Sequence, residues 1–424
     1  MEVLPCGHVA ARGDSKLCRH LHGEFSVAYV GVLRGAGLEC DYRCTACDDA
    51  DVAELMEACE GCVGRVVDGD GLVGYRGRPG IAERPEPLDP HLVLLPAPVR
   101  HLLDMAPVDE VPGRWLLLTP TRVHRWDAAT REVCDGVPYT LPEQPGDGGA
   151  PGSAPGKAPG PRLHAGPGGR HAVVAVDYGR HGVLLDMAAG EVVMRLDRGG
   201  YHPEQTRYPV AFVTGGLLAH GTDWNRLDLT DPATGTLLTA REPTSYRHRE
   251  PLPEHYLDFF HGRLHASPDG RRLLEDGWAW SPVGGVRTWD ATAWRDNPWE
   301  SEDGPSLRHL CWRDSWDVPA CWWGPDRAVL WGIGSDEEAM LDGARIFDVD
   351  SGEEVGRFAG PAGEFFRDRD RLYAACPDGL EIWDLTTGER TGRIPDFVPR
   401  WFRRRDRVLT ARHGDWLSCW RLPG

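Results

Sequence analysis

From about residue 100 onward the chain alternates short apolar runs with polar turns, and the runs share an ending. An aromatic or aliphatic residue is followed by Asp, then by a turn and a further apolar run. The motif appears as Arg125-Trp126-Asp127, Leu184-Leu185-Asp186, Arg226-Leu227-Asp228, Thr288-Trp289-Asp290, Ile346-Phe347-Asp348 and Ile382-Trp383-Asp384. A truncated copy, Ser418-Cys419-Trp420, lies near the C-terminus. Upstream of several copies a turn leads into another apolar run, as at 267–280, 324–332 and 403–411. Gly in Ser351-Gly352-Glu353 and Thr387-Gly388-Glu389 marks the hairpin that follows the motif, because Gly reaches positive φ without steric cost. Short runs bounded by such turns predict strands, not helices.

The Asp-to-Asp spacings are 59, 42, 62, 58 and 36 residues. Repeats of roughly 40 residues, each with four short strands, are the signature of β-propeller blades. One four-stranded sheet cannot bury both faces alone, whereas radial stacking covers each face with a neighbour. Seven copies predict a mainly β, seven-bladed propeller. Residues 100–424 resemble the WD-repeat family, with Ile382-Trp383-Asp384 as the best match, although the Gly-His dipeptide that opens repeats of that family is missing or degraded. The last copy stops at its third strand, so the missing outer strand is expected from upstream, at about Ile81 to Leu95. The longer spacings imply insertions around 241–262 and 293–320. A third, the Pro/Gly-rich tract at 142–161, has nothing to bury and is expected to be a flexible loop. The expected domains are a module at 1–80 and a propeller at 81–424.

The first of these is marked by cysteine. Seven of the twelve Cys lie in the first 62 residues. Cys44-x-x-Cys47 and Cys59-x-x-Cys62, with eleven residues between them, supply four thiolates for a tetrahedral zinc site. The helix-favouring stretch 48–58 fits between the two pairs. Cys6-x-His8 and Cys18-x-His20 have the ligand types for a second zinc, with His22 an alternative to His20. Exchange of ligands between the two sets stays open, and Cys40 is expected to be a core thiol or an alternative ligand. A site filled by four protein ligands has no open position for substrate, which makes it structural. The expectation is a small zinc-binding α+β module holding one or two Zn2+ ions.

Charge then narrows the partners. Asp and Glu outnumber Lys and Arg by 65 to 47, a formal net charge of −18. That field repels phosphate backbones and anionic lipid heads. Residues 1–63 hold eleven acidic against five basic residues, the reverse of what a nucleic-acid-binding finger needs. No apolar run is long enough for a membrane-spanning helix, and Met1 to Lys16 does not read as a secretory leader. Only Lys16 and Lys157 are lysines, the skew of a GC-rich genome such as GC-rich bacteria carry. The expected setting is cytoplasmic.

Ten of the 17 Trp fall between 278 and 331. Trp294, Trp299, Trp312 and Trp316 lie in or beside an insertion and form a candidate interaction surface, weighed against an insertion folded on its own Trp residues. The histidines and carboxylates between 246 and 265 lack metal-ligand spacing and read as a polar loop. Arg400, Arg403, Arg404, Arg405 and Arg407 read as paired surface charges, with an acidic-partner site as the alternative. No catalytic constellation is evident. The sequence therefore favours a non-enzymatic scaffold with a protein partner. A small molecule or an enzymatic site in the propeller channel is the first alternative, and nucleic-acid binding through the zinc module is the second.

Overall fold

The computed structural model describes residues 2–10, 12–22, 27–34, 40–50, 54–67, 71–76, 90–96, 99, 101–143, 159–243, 251–334 and 340–423. Most of the predicted loop at 142–161 therefore lies outside the described residues.

Seven four-stranded antiparallel sheets form a closed propeller. From inner to outer strand, blade one comprises Asp104–Pro107, Arg114–Leu118, Arg122–Asp127 and Val137–Pro138. Blade two begins at Gly160–Ala165, blade three at Val210–Phe212, blade four at Phe260–Ala266, blade five at Ala320–Trp322 and blade six at Glu364–Asp368. Blade seven has Trp401–Arg403, Val408–His413 and Trp416–Arg421, and its outer strand is His91–Leu94, from the far end of the array. That strand lies within the stretch expected to donate it. Closing the ring through one composite sheet leaves no open face at the seam.

The alternation of side chains builds the core between blades. In the second strand of blade two, Ala172 and Val174 face blade one while Val173 and Ala175 face blade three. In the second strand of blade five, Ala328 and Leu330 face blade four while Val329 faces blade six. Each apolar cluster of the ring is thus shared by two neighbours, which is why the strands read as continuous apolar runs.

The recurring Asp closes the hairpin from third to outer strand. Asp127 accepts from the N–H groups of Ala129 and Thr130, Asp186 from Ala188 and Ala189, and Asp384 from Thr386 and Thr387. These are Asx turns, in which a short carboxylate satisfies turn N–H groups. In blade three the equivalent residue is Asp231, which accepts from Ala233, and not Asp228 as the repeat alignment reads. Asp228 is instead fully buried, bound by Arg226 at 2.7 Å, by the Thr239 hydroxyl at 2.7 Å, and by Arg241. A second Asp follows three residues later in the same strand, Arg226–Asp231, after Thr230, and the Leu227-Asp228 pair mimics the motif.

The N-terminal module is a five-stranded sheet in the order Leu55–Cys59, Arg12–Cys18, Cys40–Cys44, Tyr29–Leu33, Leu72–Arg76. The stretch expected to be helical at 48–58 instead holds the end of one short helix, Thr45–Asp49, and the strand Leu55–Cys59, which continues into a second helix, Glu60–Val67. Pairing with Arg12–Cys18 overrides local helix propensity here. The module packs on blade five through Leu33 and Cys40 against Ile333, and the Arg357 guanidinium lies over the Tyr75 ring. Gly31 permits this packing, because a Cβ there would lie 2.7 Å from the Tyr75 ring and 2.8 Å from Cys40 Sγ. Cys40 belongs to this contact, and burial pushes its thiol up to about 12.

Candidate metal centres and an aromatic face

Each Cys-x-x-Cys pair straddles the junction of a strand and a helix. Cys44 ends a strand and caps the helix that carries Cys47, and Cys59 ends a strand and precedes the helix that carries Cys62. Unpaired N–H groups of the first helical turn are therefore close to the sulfurs, where they favour thiolate.

The four cysteines of the two pairs do not converge on one point. Cys59 and Cys62 meet Cys6 and His8, while Cys44 and Cys47 meet Cys18 and His20, and the ligand atoms of each set lie within 4.8 Å of one another. The arrangement is nested, with the outer pairs in sequence forming one cluster and the inner pairs the other. It corrects the four-Cys grouping expected from spacing and takes up the exchange of ligands that spacing left open. His8 Nδ1 lies 3.3 Å from Cys62 Sγ and 3.5 Å from Cys59 Sγ. His20 Nδ1 lies 3.1 Å from Cys47 Sγ and 3.6 Å from Cys44 Sγ. His22 belongs to neither set. The clusters occupy opposite ends of one antiparallel pair, since Arg12 faces Cys59 and Cys18 faces Leu55.

Electrostatics fit a cation between the ligands. Burial opposes ionisation of Cys6, yet the N–H groups of His8 and Cys59 aimed at its sulfur bring the thiol down to about 7. At Cys44 burial is likewise outweighed by hydrogen bonds from Cys47 and Cys18, and its thiol is lowered. Cys47, hydrogen-bonded to Cys44, rises to about 11. Thiolates this close cannot all ionise without a positive charge between them. A tetrahedron with metal–sulfur bonds of about 2.3 Å has edges of roughly 3.8 Å, within the spread of each cluster. Both clusters are geometrically able to hold a metal ion.

The four tryptophans proposed as a surface are dispersed. Trp294 is buried against Trp289 in the core between blades three and four. Trp299 stacks on His255 beneath the Arg241 guanidinium. Trp312 is exposed on an outer strand, stacked with His309. Only Trp316 joins a larger aromatic group, stacking on Trp278 and donating from Nε1 to the Gln205 carbonyl at 2.9 Å.

That group spans the face on which the inner strands begin. Phe260 and Trp278 stack at 4.0 Å, Trp224 packs on Phe260 at 4.5 Å, and Tyr201 contacts both Trp224 and Phe260. Tyr201 and Trp280 are 47% and 46% exposed, although they cap buried rings. Tyr201 comes from the connection between blades two and three, and Trp224 and Trp280 from hairpins of blades three and four. Their separation in sequence hides the cluster; the concentration of Trp between 278 and 331 contains Trp278, Trp280 and Trp316 but neither Tyr201 nor Trp224.

The remaining candidates also separate. His255 pairs with Asp303 at 2.8 Å, His261 is buried against Glu275 at 2.7 Å, and His265 lines the channel. His248 and Glu250 lie outside the described residues. In the arginine run, Arg403 pairs with Asp406 at 2.5 Å and Arg407 with Asp368 at 2.6 Å, whereas Arg400 and Arg404 face the channel.

No protein-family model matches the chain, nor does any curated protein sequence. Among solved structures it is similar to a chain of the crystal structure of a mitotic checkpoint complex, with a TM-score of 0.49 and 14% identity over 81% of this chain and 97% of that one.

Proposed function

We propose that the protein is a non-enzymatic interaction scaffold, a WD-repeat-like propeller that recognises a protein partner through its aromatic face. The observation that carries this reading is the continuous Tyr201–Trp224–Phe260–Trp278–Trp280 cluster, whose outer rings stay exposed on a rigid base. Exposed Trp and Tyr held by packed neighbours lose little freedom on binding and make strong interface anchors. The N-terminal module acts as a structural element, with zinc as the ion suited to each set of three Cys and one His. Free thiols in these sets fit a reducing, cytoplasmic compartment.

The test is affinity capture from the native host with the full chain and with Tyr201→Ala and Trp280→Ala. A stoichiometric protein that binds the full chain and is lost from both variants, at unchanged melting temperature, supports the reading. Retention of every captured protein by both variants refutes it.

A further inference from the structure

The ring encloses two chambers of about 390 Å³ each, one toward either face, sharing Arg263 and Glu364 at the waist. Their electrostatics differ. In the chamber where the inner strands begin, four arginines, Arg162, Arg207, Arg263 and Arg400, face three carboxylates, Asp104, Asp177 and Glu364, with Arg162 at 3.4 Å from Asp177 and 3.9 Å from Asp104. In the chamber where the inner strands end, four arginines, Arg263, Arg367, Arg369 and Arg404, face only Glu364 and Asp368. Both carboxylates are engaged: Glu364 by Arg263 at 2.7 Å and Asp368 by Arg407 at 2.6 Å.

Neither Arg367 nor Arg404 forms an ion pair with a carboxylate among the described residues, although Asp368 and Asp370 act on the charge of Arg367, and Asp109 interacts with Arg404, from farther off. Arg367 donates only to the carbonyls of Trp322 and Arg369, at 3.0 and 3.2 Å. Arg404 uses its backbone N–H on Asp109 while its side chain lines the cavity. The strain of this concentration of like charge is visible on neighbours. Burial lowers the proton affinity of Arg367 and the charge of Arg404 lowers it further. Burial, then Arg263, Arg207 and Arg404, keep His265 neutral with its Nε2 buried and unpartnered.

We propose that this chamber is a binding site for a small polyvalent oxyanion, a phosphate-bearing molecule or a polycarboxylate, held by Arg367 and Arg404. Four guanidinium groups set against two carboxylates in a concave cavity focus a positive field, inside a chain whose net charge is −18. The cavity volume suits a small molecule and excludes a folded partner. Arg263 stays with Glu364 and forms the wall.

The site is tested on the full chain by calorimetric titration and thermal shift with pyrophosphate and, separately, citrate at fixed ionic strength. The expected result is saturable binding of at least one anion, weakened roughly tenfold or more by Arg404→Gln and by Arg367→Gln. Arg195→Gln, on the outer rim, should leave it unchanged. Pyrophosphate alone would identify the phosphate class and citrate alone the polycarboxylate class. Absence of saturable binding for both anions overturns the proposal. So does binding that survives both channel variants.

Discussion

His8 Nδ1 lies 3.5 Å from the sulfur of Cys59, fifty-one positions away, and the partner of Cys47 is His20. The nested pairing has a stoichiometric consequence. Reduced full-length protein should carry two metal ions, and either Cys6→Ser or Cys62→Ser should reduce the count to one. Because both residues serve one centre, the double variant should also retain one ion. If zinc were held by Cys44, Cys47, Cys59 and Cys62 together, Cys6→Ser and Cys62→Ser would empty different sites. Elemental analysis of the double variant separates the two arrangements.

Asp228 and Asp231 sit in one strand but do different work. Asp228 is enclosed with Arg241 and Glu302, whose side chains are at most 2% exposed. Asp228→Ala leaves Arg241 and two hydroxyls short of an acceptor and should cost about 3–5 kcal/mol. Asp231→Ala removes only a turn acceptor and should cost about 1 kcal/mol. Urea denaturation of both variants decides between this register and the one read from the repeat, which would reverse the order.

Much of the ring was legible because propeller physics writes itself into local pattern. Trp126, Leu185, Trp289, Phe347 and Trp383 precede their hairpins in five of the seven blades because the same interblade core must be filled each time. Where two adjacent stretches could satisfy the motif, as at Asp228 and Asp231, only the pairing of the outer strand fixes the register. The ligand types at positions 6, 8, 18, 20, 44, 47, 59 and 62 were equally legible, but their grouping was not. Spacing reports chain distance, and the grouping is set by the antiparallel pairing of Arg12–Cys18 with Leu55–Cys59. The aromatic face and the arginine chamber draw on three or more blades each, so no window of sequence contains them.

Acid should destabilise the fold in two stages. Burial holds His164, His220 and His265 below the ordinary histidine value. In the unfolded chain these groups take protons as pH falls through about 6.5, while in the folded chain they resist, so stability is present above that pH and lost below it. Hydrogen bonds from Thr130 to Asp127 and from Ala189 to Asp186 lower those carboxylates, so their contribution persists until pH falls below about 4. Urea midpoints should therefore fall between pH 7.5 and 5.5, and less steeply in His265→Gln. An identical pH slope in that variant would remove His265 from the account.

Ring closure rests on a strand whose two faces differ sharply. Val93 is buried with Trp115, Trp126 and Leu417 in the core between blades seven and one, whereas Leu92 and Leu94 point outward and are 56% and 48% exposed. A charge at Val93 has no partner and displaces the methyl groups that seal blade seven to blade one. Val93→Asp should therefore cost about 3 kcal/mol or more. Leu92→Asp and Leu94→Asp, which keep the backbone pairing with Ser418 and Trp416, should stay within about 0.5 kcal/mol of the parent. Equally small effects of all three would mean that backbone pairing alone closes the ring. Loss confined to Val93→Asp, read by thermal denaturation, would assign closure to the apolar seam.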